Sequence, residues 1–265
     1  MHPVALTIAG SDSGAGAGIQ ADLKTFSALG VYGVTAITAV TSQNTCAVTA
    51  VHNLPIEHII SQLQALYADF SIHAAKTGML STAEIIAAVA QAIKTQGPKS
   101  YILDPVCVAT SGAKLIEPNA LSVLKSELFP LAEIITPNLP EAAYLLGFDE
   151  EVLANEPKAA LAALHALGAR AVLLKGGHAT GDLAVDYFSD GTSVFELSLP
   201  RIKTKNTHGT GCSLAAAITA LRAKGKSLEE AVRGAKQFVF NALKASSERN
   251  LGQGFGPIDH FFERS

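Results

Sequence analysis

The stretch VALTIAGSDSGAGAGIQADLKTFSALG, residues 4–30, decides how the fold is read. Its first six residues are apolar apart from Thr7 and read as a buried strand. A glycine-rich turn follows. From Ile19 the apolar residues recur at helical spacing until Gly30, a natural stop. Strand, turn and helix make the first half of a β-α-β unit, and the rest of the chain repeats it. Strands are expected over 33–43, 72–78, 100–104, 132–137 and 171–177. Helices are expected over 56–70, 82–94, 118–129, 140–147 and 158–168. Such alternation predicts an α/β protein with a mostly parallel central sheet flanked by helices on both faces. Near 183–199 the rhythm changes to two strands joined by Asp190-Gly191, a hairpin signal, so a short antiparallel pair is expected there. Two long helices close the chain. No linker or low-complexity stretch interrupts it, and residues 1–265 read as one domain.

Composition narrows the function classes. The chain is 48% hydrophobic and 16% charged, with a net charge of -3. No block of like charge is present, so neither nucleic acid nor an anionic membrane is expected as a partner. The apolar N-terminus lacks a basic region and a cleavage site and reads as a first strand. No apolar run reaches the length of a membrane span, and a cytoplasmic location is expected. Cys46, Cys107 and Cys212 form an odd set without CxxC spacing, which argues against disulfides and zinc. Cys46 reads as a packed small residue. Cys107 falls in a possible lid loop, where packing and function are both open.

In an open α/β sheet, ligands bind beyond the carboxyl ends of the strands. The segments found there are GSDSGAGAG (10–18), Gln43, KTGM (76–79), DPV (104–106), TPNLPE (136–141) and KGGH (175–178). The first enters a helix, but it is not GxGxxG, no acid follows the second strand, and the GK[ST] of a phosphate loop is missing. Its glycines either permit tight packing or let a flat substrate approach the backbone. THGTGC (207–212) places a thiol on the first turn of a helix behind a glycine turn. Uncovered amides at a helix start suit an oxyanion, and their field would favour thiolate over thiol at Cys212. The alternative is a small residue packed at a helix start. Asp104 and Glu141 are carboxylates able to share Mg²⁺ with phosphate oxygens. Asn138 and Glu141 are equally explained as the cap of a helix starting at Pro140. Lys175 could meet a polyphosphate or be solvated, and His178 and His208 could be plain loop histidines.

Seven segments, in order, carry a resemblance: 7–33, 38–45, 76–80, 104–112 (with Cys107 as its departure), 136–142, 173–178 and 204–212. Together they resemble the ribokinase-like superfamily, and within it the hydroxymethylpyrimidine/phosphomethylpyrimidine kinases of thiamine biosynthesis. The resemblance implies a ribokinase-like fold, Mg²⁺ and ATP, and two phosphorylations of 4-amino-5-hydroxymethyl-2-methylpyrimidine, first to the monophosphate and then to the diphosphate. By residue matching, Cys212 stands where most of the superfamily carries an aspartate base, framed by Gly209 and Gly211. Gln43 would recognise the pyrimidine, with Asp22, Gly10, Met79 and Val106 nearby. Asp104 and Glu141 would serve the metal. Lys175, Thr204, His208 and Asn138 would serve the nucleotide and its phosphates. A homodimer is implied, with the strands at 183–199 as one place for pairing. Cys107 stands where the family carries an apolar residue, often methionine, which bears on substrate fit near the lid. Pyridoxal kinase is the nearest rival reading. A non-catalytic ligand binder is opposed by the complete set of Cys212, Lys175, Asp104 and Glu141. A nicotinamide oxidoreductase is opposed by the missing fingerprint.

Overall fold

The computed structural model describes residues 2–107, 115–117, 119–177 and 181–264. The elements run β1 (Val4–Asp12), α1 (Gly18–Ala28), β2 (Tyr32–Gln43), β3 (Val48–Asn53), α2 (Ile56–Asp69), β4 (Ala74–Thr77), α3 (Ala83–Gln96) and β5 (Ser100–Leu103). Next come α4 (Ala120–Val123), which continues as a π turn over Leu124–Leu128, then β6 (Ile134–Ile135), α5 (Leu139–Leu146), α6 (Glu150–Asn155), α7 (Pro157–Ala166) and β7 (Val172–Leu174). The hairpin β8 (Leu183–Ser189) and β9 (Val194–Pro200) precedes α8 (Thr210–Ala223) and α9 (Leu228–Ser246).

One nine-stranded sheet has the order β3-β2-β1-β4-β5-β6-β7-β8-β9. The six strands from β2 to β7 are parallel, and β3, β8 and β9 add antiparallel edges. The β8–β9 turn uses Gly191 with φ +87°, as the Asp-Gly signal requires. Strand β3 and helix α6 are additions to the expected pattern. β3 lies at the sheet edge with four of its six residues exposed, so it has no buried face to impose an apolar period.

Burial on both faces explains why the inner strands read as continuous apolar runs. Alternate residues of one strand enter different cores. Tyr101 and Leu103 of β5 join the core beneath α2, α3 and α5, with Ile59, Leu63, Ile86 and Leu145. Ile102 joins the opposite core, with Leu173, Phe188, Leu214, Ile218 and Val232. Helix α8 lies over β1, β4 and β5, between α1 and α9. Ser213 to Ala220 are all buried there, and alanine at four of these eight positions lets the backbone approach the sheet.

The topology fixes where a ligand can enter. From β1 the chain moves one way to β2 and then, through β3, returns to β4 on the other side. The crevice at this reversal lies beyond the carboxyl ends of β1 and β4, where the start of α8 also arrives. Among the described residues, no helix is long and apolar enough to cross a membrane.

Candidate active site

A cavity of about 520 Å³ occupies this crevice, within the ~300–1,000 Å³ range of small-molecule sites. It is lined by Gly10, Gln43, Met79, Val106, Asp104, Asn138, Glu141, Lys175, His208, Gly209, Gly211 and Cys212. Twelve residues singled out at distant strand ends and at the start of α8 therefore meet around one space. Asp22 and Thr204 do not line it. His178 and the lid segment 108–112 lie outside the described residues.

One end is shaped by the glycine loop after β1. The Asp12 carboxylate accepts from the backbone N–H groups of Gly14 at 2.8 Å, Gly16 at 3.0 Å and Ala17 at 2.9 Å, and pairs with His208 Nε2 at 2.8 Å. Burial works against its charge, but the bonds from His208 and from the Ala17 and Gly14 amides outweigh it and hold Asp12 below the usual carboxylate range. The loop is thus an anion nest filled by its own carboxylate, which is why it looks like a phosphate loop without being one. Gln43 faces the same end. Thr41 Oγ1 donates to its amide oxygen at 3.1 Å, and its amide nitrogen lies 3.4 Å from His208 Nε2. His208, expected at the nucleotide, is therefore found between the glycine loop and Gln43. The C-terminal segment braces this end: Phe255 N–H donates to the Thr45 carbonyl and His208 N–H to that of Gly256.

The middle of the cavity holds charge. Lys175 Nζ lies 3.1 Å from Asp104 Oδ1 and 3.7 Å from Glu141 Oε2. Thr136 donates a further bond to Asp104 at 3.1 Å. Burial opposes the Lys175 charge, but Asp104 and then Glu141 raise its pKa above the ordinary lysine range. For Glu141 burial wins over Lys175, and Asp104 adds to it, so its pKa is pushed up to about 7. The capping interpretation is also met. Asn138 Oδ1 accepts from Glu141 N–H at 2.7 Å while Glu141 Oε2 accepts from Asn138 N–H at 2.8 Å, a complete capping box on α5.

A pH test follows for Glu141. Its folded pKa, about 7, exceeds the ordinary 4.5. The native state then binds this proton more tightly than the unfolded chain. Stability from this group is complete below 4.5 and is lost as the pH climbs to about 7. Without divalent cations, Glu141→Gln should flatten the stability–pH curve between pH 5 and 7.5 by roughly 1–3 kcal/mol. Urea midpoints at the two pH values measure it, and equal slopes in both proteins would assign the proton elsewhere.

Helix α8 begins at the same cluster. Gly209 is its N-cap with φ +82°, and a Cβ there would sit 1.8 Å from the Gly16 carbonyl oxygen. A Cβ on Gly211 would come within 3.2 Å of Lys175 Nζ. Glycine at both positions brings the helix start against the glycine loop and the ammonium together. Among the described residues, the Gly211 and Cys212 amides make no backbone bond, as expected for a first turn. Cys212 is half-buried beside them. Its expected low pKa is not found. Burial dominates and pushes the thiol up to about 12, against Lys76 and the Gly18 N–H, while Asp22 and Asp104 reinforce the rise.

Three other residues, Asp22, Thr204 and Cys46, are placed differently from expectation, and the open reading of Cys107 is decided. Asp22 is buried with both carboxylate oxygens 2.9 Å from Lys76 Nζ and does not line the cavity, so it holds a lysine rather than facing a pyrimidine. Thr204 Oγ1 donates to the Ser247 carbonyl and accepts from Asn206 N–H, and so serves the loop before α8. Cys46 is exposed between β2 and β3. Cys107 is buried, its thiol 3.3 Å from the Pro105 carbonyl oxygen and pushed up to about 12, mainly by burial and then by Glu141, so it packs. The sequence reading missed Asp12 and Lys76. A lysine inside the buried four-residue strand AAKT was a usable signal, since such a charge needs a partner.

The far end of the cavity lies between β8, the end of β9 and α9. It is lined by Ala184, Leu199, Ile202, Val239, Phe240 and Leu243, with the Lys236–Asp186 pair at 2.7 Å. Asp186 also accepts from Gly176 N–H at 2.9 Å, which ties the loop after Lys175 to β8.

Residues 12–259 match the family model for phosphomethylpyrimidine kinase. The hydroxymethylpyrimidine/phosphomethylpyrimidine kinase of Rhizobium meliloti (strain 1021) is 50% identical over 98% of each chain. An ADP complex of Bacillus subtilis pyridoxal kinase superposes with a TM-score of 0.91 at 40% identity, covering 100% of this chain and 99% of that one. The phosphomethylpyrimidine kinase of Clostridium difficile 630 gives a TM-score of 0.79 at 41% identity, over 91% of this chain and 99% of that one.

Proposed function

The chain belongs to the phosphomethylpyrimidine kinase family, and on that premise we propose that it phosphorylates 4-amino-5-hydroxymethyl-2-methylpyrimidine with ATP, and then phosphorylates the monophosphate. The observation that carries the reading is the continuity of the cavity. One space joins a rim with a planar amide, Gln43, to the Lys175–Asp104–Glu141 cluster at the start of α8 and to the apolar slot beyond.

An aminopyrimidine edge offers a donor beside an acceptor, which the free amide positions of Gln43 complement. Met79, Gly10 and Val106 give it a flat, largely apolar bed. The slot at β9 and α9 suits the nucleotide base, with its phosphates toward Lys175. Asp104 and Glu141 fit Mg²⁺, which takes one or two carboxylates and fills the remaining positions with water and phosphate oxygens. Such an ion would neutralise phosphate charge. The protein's own part is positioning and electrostatic stabilisation: Lys175 and the free amides of α8 face the transferring phosphoryl group, and Cys212 accepts the proton of the attacking hydroxyl. The reading also takes the chain as one kinase domain, cytoplasmic and homodimeric.

The deciding experiment is an assay of the aminopyrimidine alcohol with Mg·ATP that follows both phosphorylated products, run beside pyridoxal. Pyridoxal is the second reading because the Bacillus subtilis pyridoxal kinase fold superposes over the whole chain. A preference for pyridoxal in kcat/KM would reverse the assignment. Gln43→Leu should raise the KM for the pyrimidine while leaving that for ATP unchanged. It leaves a polar edge unpaired, worth ~1–3 kcal/mol, or about 5–150-fold. An equal loss for both substrates would make Gln43 structural.

A further inference from the structure

We propose that Lys76 is the counter-charge for the Cys212 sulfur during proton transfer, and that Asp22 and Thr7 position it. The proposal rests on Cys212 as the proton acceptor. Lys76 is 0% exposed to solvent, yet it forms part of the cavity wall that it shares with Cys212. Its ammonium group lies beside Gly78, 3.6 Å from where a Cβ would stand. Two of its three N–H groups bond the Asp22 carboxylate at 2.9 Å, and Thr7 Oγ1 donates to that carboxylate at 2.6 Å. Among the described residues the third N–H has no protein acceptor. α8 packs directly on β4, the strand that carries Lys76.

A buried ion pair is a weak source of stability, and apolar residues of the same size often serve packing as well. A lysine held at this depth, with one donor left over beside Asp22 and a cavity wall shared with Cys212, can serve a second negative group. Cys212 is the candidate. The charged groups acting on its thiol are Lys76 from β4, Asp22 from α1, Asp104 after β5 and Lys175 after β7, with the Gly18 N–H donating from the start of α1. Lys76 opposes the burial effect most strongly.

The Cys212 S–H proton passes to solvent, leaving a thiolate opposite Lys76. The substrate hydroxyl proton then moves to sulfur as its oxygen bonds the γ-phosphorus. The bond from that phosphorus to the bridging oxygen breaks, and ADP leaves with the electron pair.

Iodoacetamide alkylation of Cys212 tests the idea without any substrate, so its outcome is separate from that of the pyrimidine assay. It is run on the full chain in a Cys46→Ser background and read at Cys212 by mass spectrometry at fixed pH. Thiolate fraction changes tenfold per pKa unit, so Lys76→Met should slow alkylation by ~10-fold or more. Asp22→Asn removes a negative charge from the same neighbourhood and should speed it. Opposite signs from the two halves of one ion pair are the signature, because a structural role moves both the same way. Lys76→Met leaves Asp22 buried and unpaired, so the double variant Lys76→Met/Asp22→Asn is measured too. It should melt near wild type and still react slowly. Alkylation at the wild-type rate in the double variant, or single variants shifted in the same direction, would overturn the proposal.

Discussion

Gly209→Ala should lose ~10²–10³-fold or more in kcat, because it moves the oxyanion donors at the start of α8. It should also lower unfolding stability by ~2–5 kcal/mol, combining a left-handed backbone with an overpacked contact. The new methyl group would lie 1.8 Å from the Gly16 carbonyl oxygen, and Gly209 itself has φ +82°. Relief demands that the glycine loop or the helix start retreat. Either movement carries function with it. The Gly16 amide is one of three backbone donors on Asp12, and Asp12 orients His208 against Gln43. The helix start carries Gly211, against which Lys175 packs. The lesion should therefore reach both substrates, raising KM for pyrimidine and ATP as well as lowering kcat. Steady-state kinetics and a urea titration measure it. Wild-type kinetics with unchanged stability would mean that these two loops do not need their present contact.

The fold was legible where burial imposes a period. β1, α1, β2, α8 and the hairpin at Gly191 follow from apolar spacing and turn chemistry. The edge strand β3 was not, because its exposed residues obey no such constraint. The site was legible in outline for a related reason. A parallel sheet sends every strand's carboxyl end to one edge, so residues at strand ends could be gathered without knowing any distance. What escaped was the interior of the network. Asp22 and Lys76 are a sheet-and-helix pair separated by 54 residues, and nothing local in either segment names the other. Asp12 ends β1 inside a stretch that reads as glycine-rich. The ionisation of Cys212 shows the limit most clearly. The helix start was visible in THGTGC and argued for a low pKa. The burial that overrides it comes from tertiary packing, and two carboxylates, Asp22 and Asp104, add to it.

That ionisation shapes the effect of removing the thiol. Cys212→Ala should lower kcat by ~10²–10⁴-fold, the range for a positioned acid–base group, with KM for ATP nearly unchanged. Alanine keeps the helix, and Lys175, Asp104 and Glu141 keep their mutual contacts, so the nucleotide end is untouched. Residual turnover measures what the backbone amides and lysines supply alone. The pH profile makes the test specific. With the thiol pushed up to about 12, only a small fraction is thiolate near neutrality. Wild-type kcat should then rise with pH through the mildly alkaline range, by up to tenfold per unit while chemistry limits the rate. The variant should lose that slope along with the rate. Cys212→Ser should not restore it, because a serine hydroxyl is a far weaker acid than a thiol and sits in the same buried field. Near-wild-type turnover in Cys212→Ala, or a rising limb that survives in it, would move the proton to another acceptor and leave Cys212 as a small residue at a helix start.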